Sequence, residues 1–207
     1  MTADNIFYRS FGLDRASVDE KKRTVDLVFS TETPVDRWGE AEILLHGPKN
    51  VDLSRLKMSG SGLFNHNPDR IIGPLSKISI KDFRGVLTLG FDDDDEGNRA
   101  FLKVNSGSLR GVSVGYEIND AIAVPTGSSH EVRAGLKIKG PAFVATRWTP
   151  GEISLTPVPA DPNSGIGRSR SLAGINITEI RGKPANPRLV TKTSIEFLKY
   201  QTFMGDI

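Results

Sequence analysis

The sequence predicts a mainly β fold with peripheral helices, an α+β domain organised as an antiparallel meander. Three observations carry this. "RTVDLVFS" (23–30) and "VSVGYEIND" (112–120) alternate polar and apolar residues with β-branched or aromatic side chains, the period of a half-buried strand. "DRIIGPLSKISIKDFRGVLTLGFD" (69–92) reads as two or three strands that reverse at "KDFRG". Helix signals in the body of the chain are confined to "DLSRLKM" and to the acidic run that opens "DDDDEGNRAFLKVNSGSLRG".

In chain order, the strand at 23–30 is followed by a second at "AEILLHG". Between them "TETPVDRWGEA" carries the Pro, Asp and Gly of a loop, long enough to hold side chains at the rim of a site. Asp52 caps a short helix over "DLSRLKM", and "SGSG" breaks it. "GLFNH" then opens the meander. The carboxylates of 92–95 favour the positive end of a helix dipole, and Gly107 or Gly111 closes that helix. A calcium loop starting at Asp92 would put Gly97 at its sixth position, but Lys103 occupies the twelfth, where a bidentate Glu is required. The calcium reading is therefore rejected.

Strand alternation resumes with Val112, Val114 and Tyr116 on one face and Ser113 and Gly115 on the other. "AIAVPTGSSHEVRAG" reads as an excursion or hairpin tip, "LKIKGPAFVATRW" as a strand with a Gly-Pro break, and "TPGEISLTPVPADPN" as a strand of about four residues that prolines terminate. Trp38 and Trp148 read as packing anchors, and "PVPADP" as a rigid exit. The domain is expected over 1–162, followed by a basic linker or tail at 163–207 with one weakly amphipathic helix at about 194–204.

Composition narrows the function classes. The 207 residues carry a formal charge of +2 and no cysteine, which removes thiol nucleophiles, disulfides and thiolate zinc sites. Residues 163–207 hold seven Lys/Arg against three Asp/Glu, which leaves residues 1–162 at −2. That surplus is too small for a nucleic-acid footprint, which needs a basic stripe interleaved with aromatics. No window approaches the length of apolar sequence that a membrane span requires, and no export signal is read at the N-terminus.

"GVSVG" (111–115) matches the Gly-x-Ser-x-Gly pattern of a nucleophile elbow, but the surrounding meander and the order of residues do not suit that fold. A serine nucleophile still requires a base, and the three histidines are His46, His66 and His130. His46 precedes the turn "GPKN" and His130 lies in the polar "GSSHEVR". His66 closes the apolar run "GLF" ahead of a proline, where packing can fix a side chain. Taken singly, a loop histidine or a strand serine is more often structural.

Three stretches taken together point further. "LFNHNPDRIIG", "GSLRGVSVGYEI" and "EISLTPVPADP" resemble, in order and wording, the three motif blocks of the caudovirus prohead serine protease family, the enzymes that mature tailed-phage capsids. "PVDRWGE" resembles that family's first loop, and the resemblance spans roughly residues 20–165. It implies an antiparallel β barrel of the herpesvirus assemblin type with peripheral helices. It also implies His66 as catalytic base, Ser113 as nucleophile and Glu152 as the third member, with Asp36 and Asp69 as rival acids. Backbone amides around "RGVS" and the Arg110 side chain are candidates for the oxyanion hole. The chain departs from the pattern at Asn67, where an acid often follows the histidine, and in a long connection at 119–147.

On this resemblance the expected activity is that of a serine endopeptidase. It would cut scaffold protein, or the scaffolding segment of the major capsid protein, inside the immature capsid in the host cytoplasm, and would cut itself. No cofactor or metal is implied, no nucleic-acid or membrane partner is expected, and a homodimer is the oligomer that fold relatives suggest. The rival classes are a catalytically inactive capsid assembly or scaffolding protein on the same fold, and a β-barrel binding module whose motif matches arise by chance.

Overall fold

The computed structural model describes residues 7–12, 18–37, 39–157 and 176–179. The chain opens with β1 (Phe7–Gly12), β2 (Val18–Asp19) and β3 (Thr24–Thr31). In β3 the alternation predicted from sequence is realised: Val25, Leu27 and Phe29 are buried while Asp26 is exposed. The segment read as an open loop contains a small hairpin, β4 (Val35–Arg37) and β5 (Glu40–Leu44), whose turn is closed by Asp36 Oδ1 accepting the Gly39 N–H at 3.1 Å. Helix α1 (Ser54–Ser59) begins after Asp52, which accepts the Ser54 N–H at 2.9 Å. The Ser54 hydroxyl, and after it that backbone bond, hold the Asp52 carboxyl below the usual carboxylate range. Gly60, at φ 62°, ends the helix.

Next come β6 (Ser61–Phe64), β7 (Asn67–Lys81) and β8 (Arg84–Gly90). β7 and β8 are joined by a two-residue turn in which Asp82 and Phe83 both take positive φ. Helix α2 (Asp95–Asn105) starts where the acidic run predicts, with Asp94 Oδ1 accepting the Gly97 N–H at 2.7 Å. It stops at Ser106, followed by Gly107 at φ 77°; Gly111 instead begins β9 (Gly111–Val124). β10 (Ser129–Arg133) and β11 (Leu136–Lys139) form a hairpin of their own where the sequence predicts an excursion or hairpin tip, and the Gly-Pro break separates β11 from the next strand. β12 (Ala142–Thr156) is longer than predicted, because it runs through Pro150 by a bulge between Pro150 and Glu152. Within the segment read as linker, β13 (Asn176–Glu179) pairs with β9 in parallel. The predicted helix at 194–204 and Trp38 lie outside the described residues.

β9 and β12 pair antiparallel along almost their whole length and form the spine of an eleven-stranded sheet with the order β1-β9-β12-β6-β7-β8-β3-β2, to which β4, β5 and β13 attach. Two corrections to the expected topology follow. The meander is not purely antiparallel: β12 pairs in parallel with β5 and with β6. The barrel implied by resemblance is also not found. Among the described residues the ladder is open, with β1 and β2 at its two ends, although the sheet curls until β3 lies near both β1 and β9. Architecture is thus mainly β with few helices.

Curling is made possible by β7, which pairs with β6 up to Pro74 and with β8 from Leu75. Gly73 sits at that switch with φ 150°, and a Cβ there would lie 2.2 Å from the Gly90 carbonyl oxygen, so only glycine fits. The concave side holds one core that includes Phe29, Leu56, Leu89, Val112, Val114, Tyr116, Trp148, Ile153 and Leu155. Truncating one of its fully buried leucines to alanine costs about 2–5 kcal/mol. A second, smaller core of Ile43, Leu45, Val124, Ile138, Ala142 and Val144 fills the β5, β9, β11 and β12 end.

A buried charge cluster fixes β1 beside β9. Arg9 donates from Nη2 to the Glu42 carbonyl at 2.5 Å and from Nε to Glu42 Oε1 at 3.2 Å, while Tyr116 donates to Glu42 Oε1 at 2.5 Å. Arg37 Nε lies 3.4 Å from the same oxygen. Burial, reinforced by the Glu42 charge, pushes the Tyr116 phenol well above its ordinary range and keeps it a donor.

Candidate functional site

Ser113 lies in β9 between Val112 and Val114, whose side chains enter the core, so the pleat turns Ser113 to the opposite face. The same alternation in β12 sends Ile153 and Leu155 to the core and places Glu152, Ser154 and Thr156 on Ser113's face. Ser113 is directly opposite Ser154 in the β9–β12 ladder, and Glu152 is opposite Gly115. Directly opposed Cβ atoms are ~4.5–5.5 Å apart and diagonal ones ~7–8 Å. Ser113 and Glu152 are therefore diagonal neighbours on one polar face.

His66 reaches that face from the tip of the β6–β7 hairpin. Phe64 pairs with Asn67, so Asn65 and His66 are the two turn residues, at φ 52° and 60°. A two-residue hairpin of this kind needs positive φ at both positions, which Asn tolerates well and His better than most side chains. Two bonds to β12 pin the tip: the Asn65 N–H donates to the Leu155 carbonyl at 2.8 Å and the His66 N–H to Ser154 Oγ at 3.1 Å. This accounts for the "NHN" wording. The asparagine on one side supplies a left-handed turn residue, and the one on the other, Asn67, accepts the Asp69 N–H through Oδ1 at 2.9 Å.

The imidazole meets Glu152. His66 Nδ1 is 2.5 Å from Glu152 Oε1, and the second carboxylate oxygen, Oε2, accepts the Ser154 hydroxyl at 2.8 Å. A carboxylate on Nδ1 favours the tautomer that carries the ring proton there, with Nε2 as the basic nitrogen. Both side chains are partly exposed, at 29% for His66 and 19% for Glu152, so the pair is open to solvent. Ser113, by contrast, is fully buried, and its Oγ has no hydrogen-bond partner. A buried hydroxyl without a partner costs about 1–3 kcal/mol and calls for an explanation.

The other sequence candidates fall elsewhere. Asp36 closes the β4–β5 turn and Asp69 is exposed on β7. His130 lies on the β10–β11 hairpin. His46, read as a turn residue, is buried: Nδ1 is 2.8 Å from the Leu44 carbonyl and its ring meets Trp148 edge-on at 5.2 Å. Arg110 Nε donates to the Gly107 carbonyl at 2.8 Å, so its guanidinium serves the end of α2. Gly111–Ser113 stand in ladders with β1 on one side and β12 on the other.

Sequence reasoning missed Ser154. The signal was present, since the alternation in "EISL" puts Ser154 on the same face as Glu152, two residues away. Among the described residues no group of three or more His, Cys, Asp or Glu side chains is arranged to hold a metal ion. No described helix is long and apolar enough to cross a membrane.

No protein-family model and no solved structure matches the chain. It is 32% identical over 171 residues to the major capsid protein of Halomonas phage phiHAP-1, a match that covers 81% of this chain and 27% of that protein. The chain thus spans about a quarter of the length of the curated relative it matches. The chain is similar to one segment of a larger phage capsid protein.

Proposed function

We propose that the protein is a serine endopeptidase that cuts a phage capsid or scaffolding protein during maturation of the immature capsid. The observation that carries this reading is the 2.5 Å contact between His66 Nδ1 and Glu152 Oε1, on the face to which Ser113 also turns. Base, orienting carboxylate and hydroxyl come from one hairpin tip and two strands distant in sequence, and the buried, unpartnered Ser113 Oγ is a cost that a catalytic role explains. Similarity to a phage capsid protein supports the substrate class.

In this mechanism Ser113 Oγ attacks the scissile carbonyl carbon while its proton passes to His66 Nε2. Glu152 holds the ring in the Nδ1–H tautomer and stabilises the imidazolium. The proton then goes to the leaving amine as the C–N bond breaks, and water, deprotonated by the same His66, releases the acyl group from Ser113. The setting is the interior of the prohead in the host cytoplasm. The major capsid protein or the scaffold serves as substrate, the chain's own tail beyond 162 is a further one, and two copies can pair.

A second reading has its own support: a capsid assembly or scaffolding protein that keeps the fold without activity. The matched relative is named a major capsid protein, and Ser113 is fully buried. A fluorophosphonate that modifies activated serines separates the two. The protease reading expects one adduct, mapped by peptide mass spectrometry to Ser113 and lost in Ser113→Ala and His66→Ala. The absence of any adduct on the intact protein would favour the assembly reading.

A further inference from the structure

We propose that Ser154 is a positioning residue for the His66–Glu152 pair, an inference that rests on the protease reading above. Ser154 is fully buried, and its hydroxyl is engaged in two directions. Its one proton goes to Glu152 Oε2 at 2.8 Å, and its oxygen accepts the His66 main-chain N–H at 3.1 Å. A single side chain therefore holds both members of the pair, one by its carboxylate and the other by its backbone.

Each of these groups needs holding. The Glu152 side chain has three rotatable bonds and is partly exposed, so a carboxylate with only Oε1 engaged would sample several rotamers. His66 sits at φ 60° on a hairpin tip, a conformation that persists only when its surroundings fix it. Ser154 also stands directly opposite Ser113 in the ladder, so the residue that orients base and acid is the cross-strand neighbour of the nucleophile.

The test compares Ser154→Ala and Ser154→Thr with the wild type, in the full chain. Steady-state cleavage of a peptide from the capsid protein is one readout, and the downfield proton signal of the His66 Nδ1–H is the other. Removing one hydrogen bond to a charged group predicts that Ser154→Ala loses kcat by about 10- to 100-fold with KM within twofold. The ring-proton signal should be lost in step, while Ser154→Thr, which keeps the hydroxyl, restores both. Wild-type kcat and an unchanged ring-proton signal in a folded Ser154→Ala overturn the proposal. If the alanine variant does not fold, the threonine variant decides: folded and active supports the role, folded with kcat reduced as far as predicted for alanine contradicts it. The NMR signal separates this inference from the protease reading. An inactive wild type that shows the ring proton, and loses it in Ser154→Ala, keeps the positioning role and removes the enzyme.

Discussion

His46 should make the fold acid-sensitive in a window set by one side chain. Burial, opposed only in part by the Leu44 carbonyl and the Glu32 charge, lowers the pKa of His46 from 6.5 to about 4. Arg9 and Arg133 push the same way. The folded state therefore keeps the ring neutral where the unfolded chain already binds a proton. With more protons on the unfolded state, stability falls as pH falls. The contribution is complete above 6.5 and declines between 6.5 and about 4, and the loss amounts to roughly 3 kcal/mol at the lower end. The geometry agrees, since Nδ1 donates to Leu44 while Nε2 is buried without a partner, so a second ring proton would have nowhere to go.

The assay is urea unfolding of wild type and His46→Phe between pH 4 and 7.5. Phenylalanine keeps the edge contact with Trp148 but leaves the Leu44 carbonyl unpaired, a loss of about 1–3 kcal/mol at every pH. The wild type should lose roughly 3 kcal/mol relative to His46→Phe toward pH 4, enough to close or invert the gap. Parallel stability curves for the two proteins would refute the reasoning, because the carboxylates titrate in both.

Glu42→Ala leaves the buried Arg9 guanidinium and Tyr116 hydroxyl without their shared acceptor and should cost about 3–5 kcal/mol in urea unfolding. Gly73→Ala, with a Cβ forced to 2.2 Å from the Gly90 carbonyl, should cost about 3 kcal/mol or more. Gly60→Ala, where φ is 62° but nothing lies within 4 Å, should cost only about 1 kcal/mol, and equal thermal shifts for the two would contradict the packing argument. Asp94→Ala removes the α2 cap and should cost about 1 kcal/mol, visible as a lowered unfolding midpoint with unchanged denaturant slope.

Legibility in the sequence followed the range of the interaction. Features set within a few residues were readable: the β3 alternation, the helix start in the acidic run, the turn within "KDFRG" and the helix break at "SGSG". What depends on partners far along the chain was not. Nothing near "EISL" says that its strand runs back through Pro150 to Ala142, or that it pairs in parallel with β5 and β6. His46 looked like a turn residue because its polar neighbours are local, whereas Trp148, which helps bury it, is about a hundred residues away. Resemblance supplied Ser113, His66 and Glu152. The structure brings the last two into contact, and it adds Ser154, which alternation alone could have placed on that face.

The central claim is cleavage by Ser113, and its most direct measurement is co-expression with the capsid protein of the same source. The intact protein is compared with Ser113→Ala, and mass spectrometry is run on every fragment. The account predicts defined cuts in the capsid or scaffold chain, and in the tail beyond 162, that vanish with the substitution. Cuts that persist in Ser113→Ala would contradict it, as would a capsid chain left whole by a folded wild-type protein.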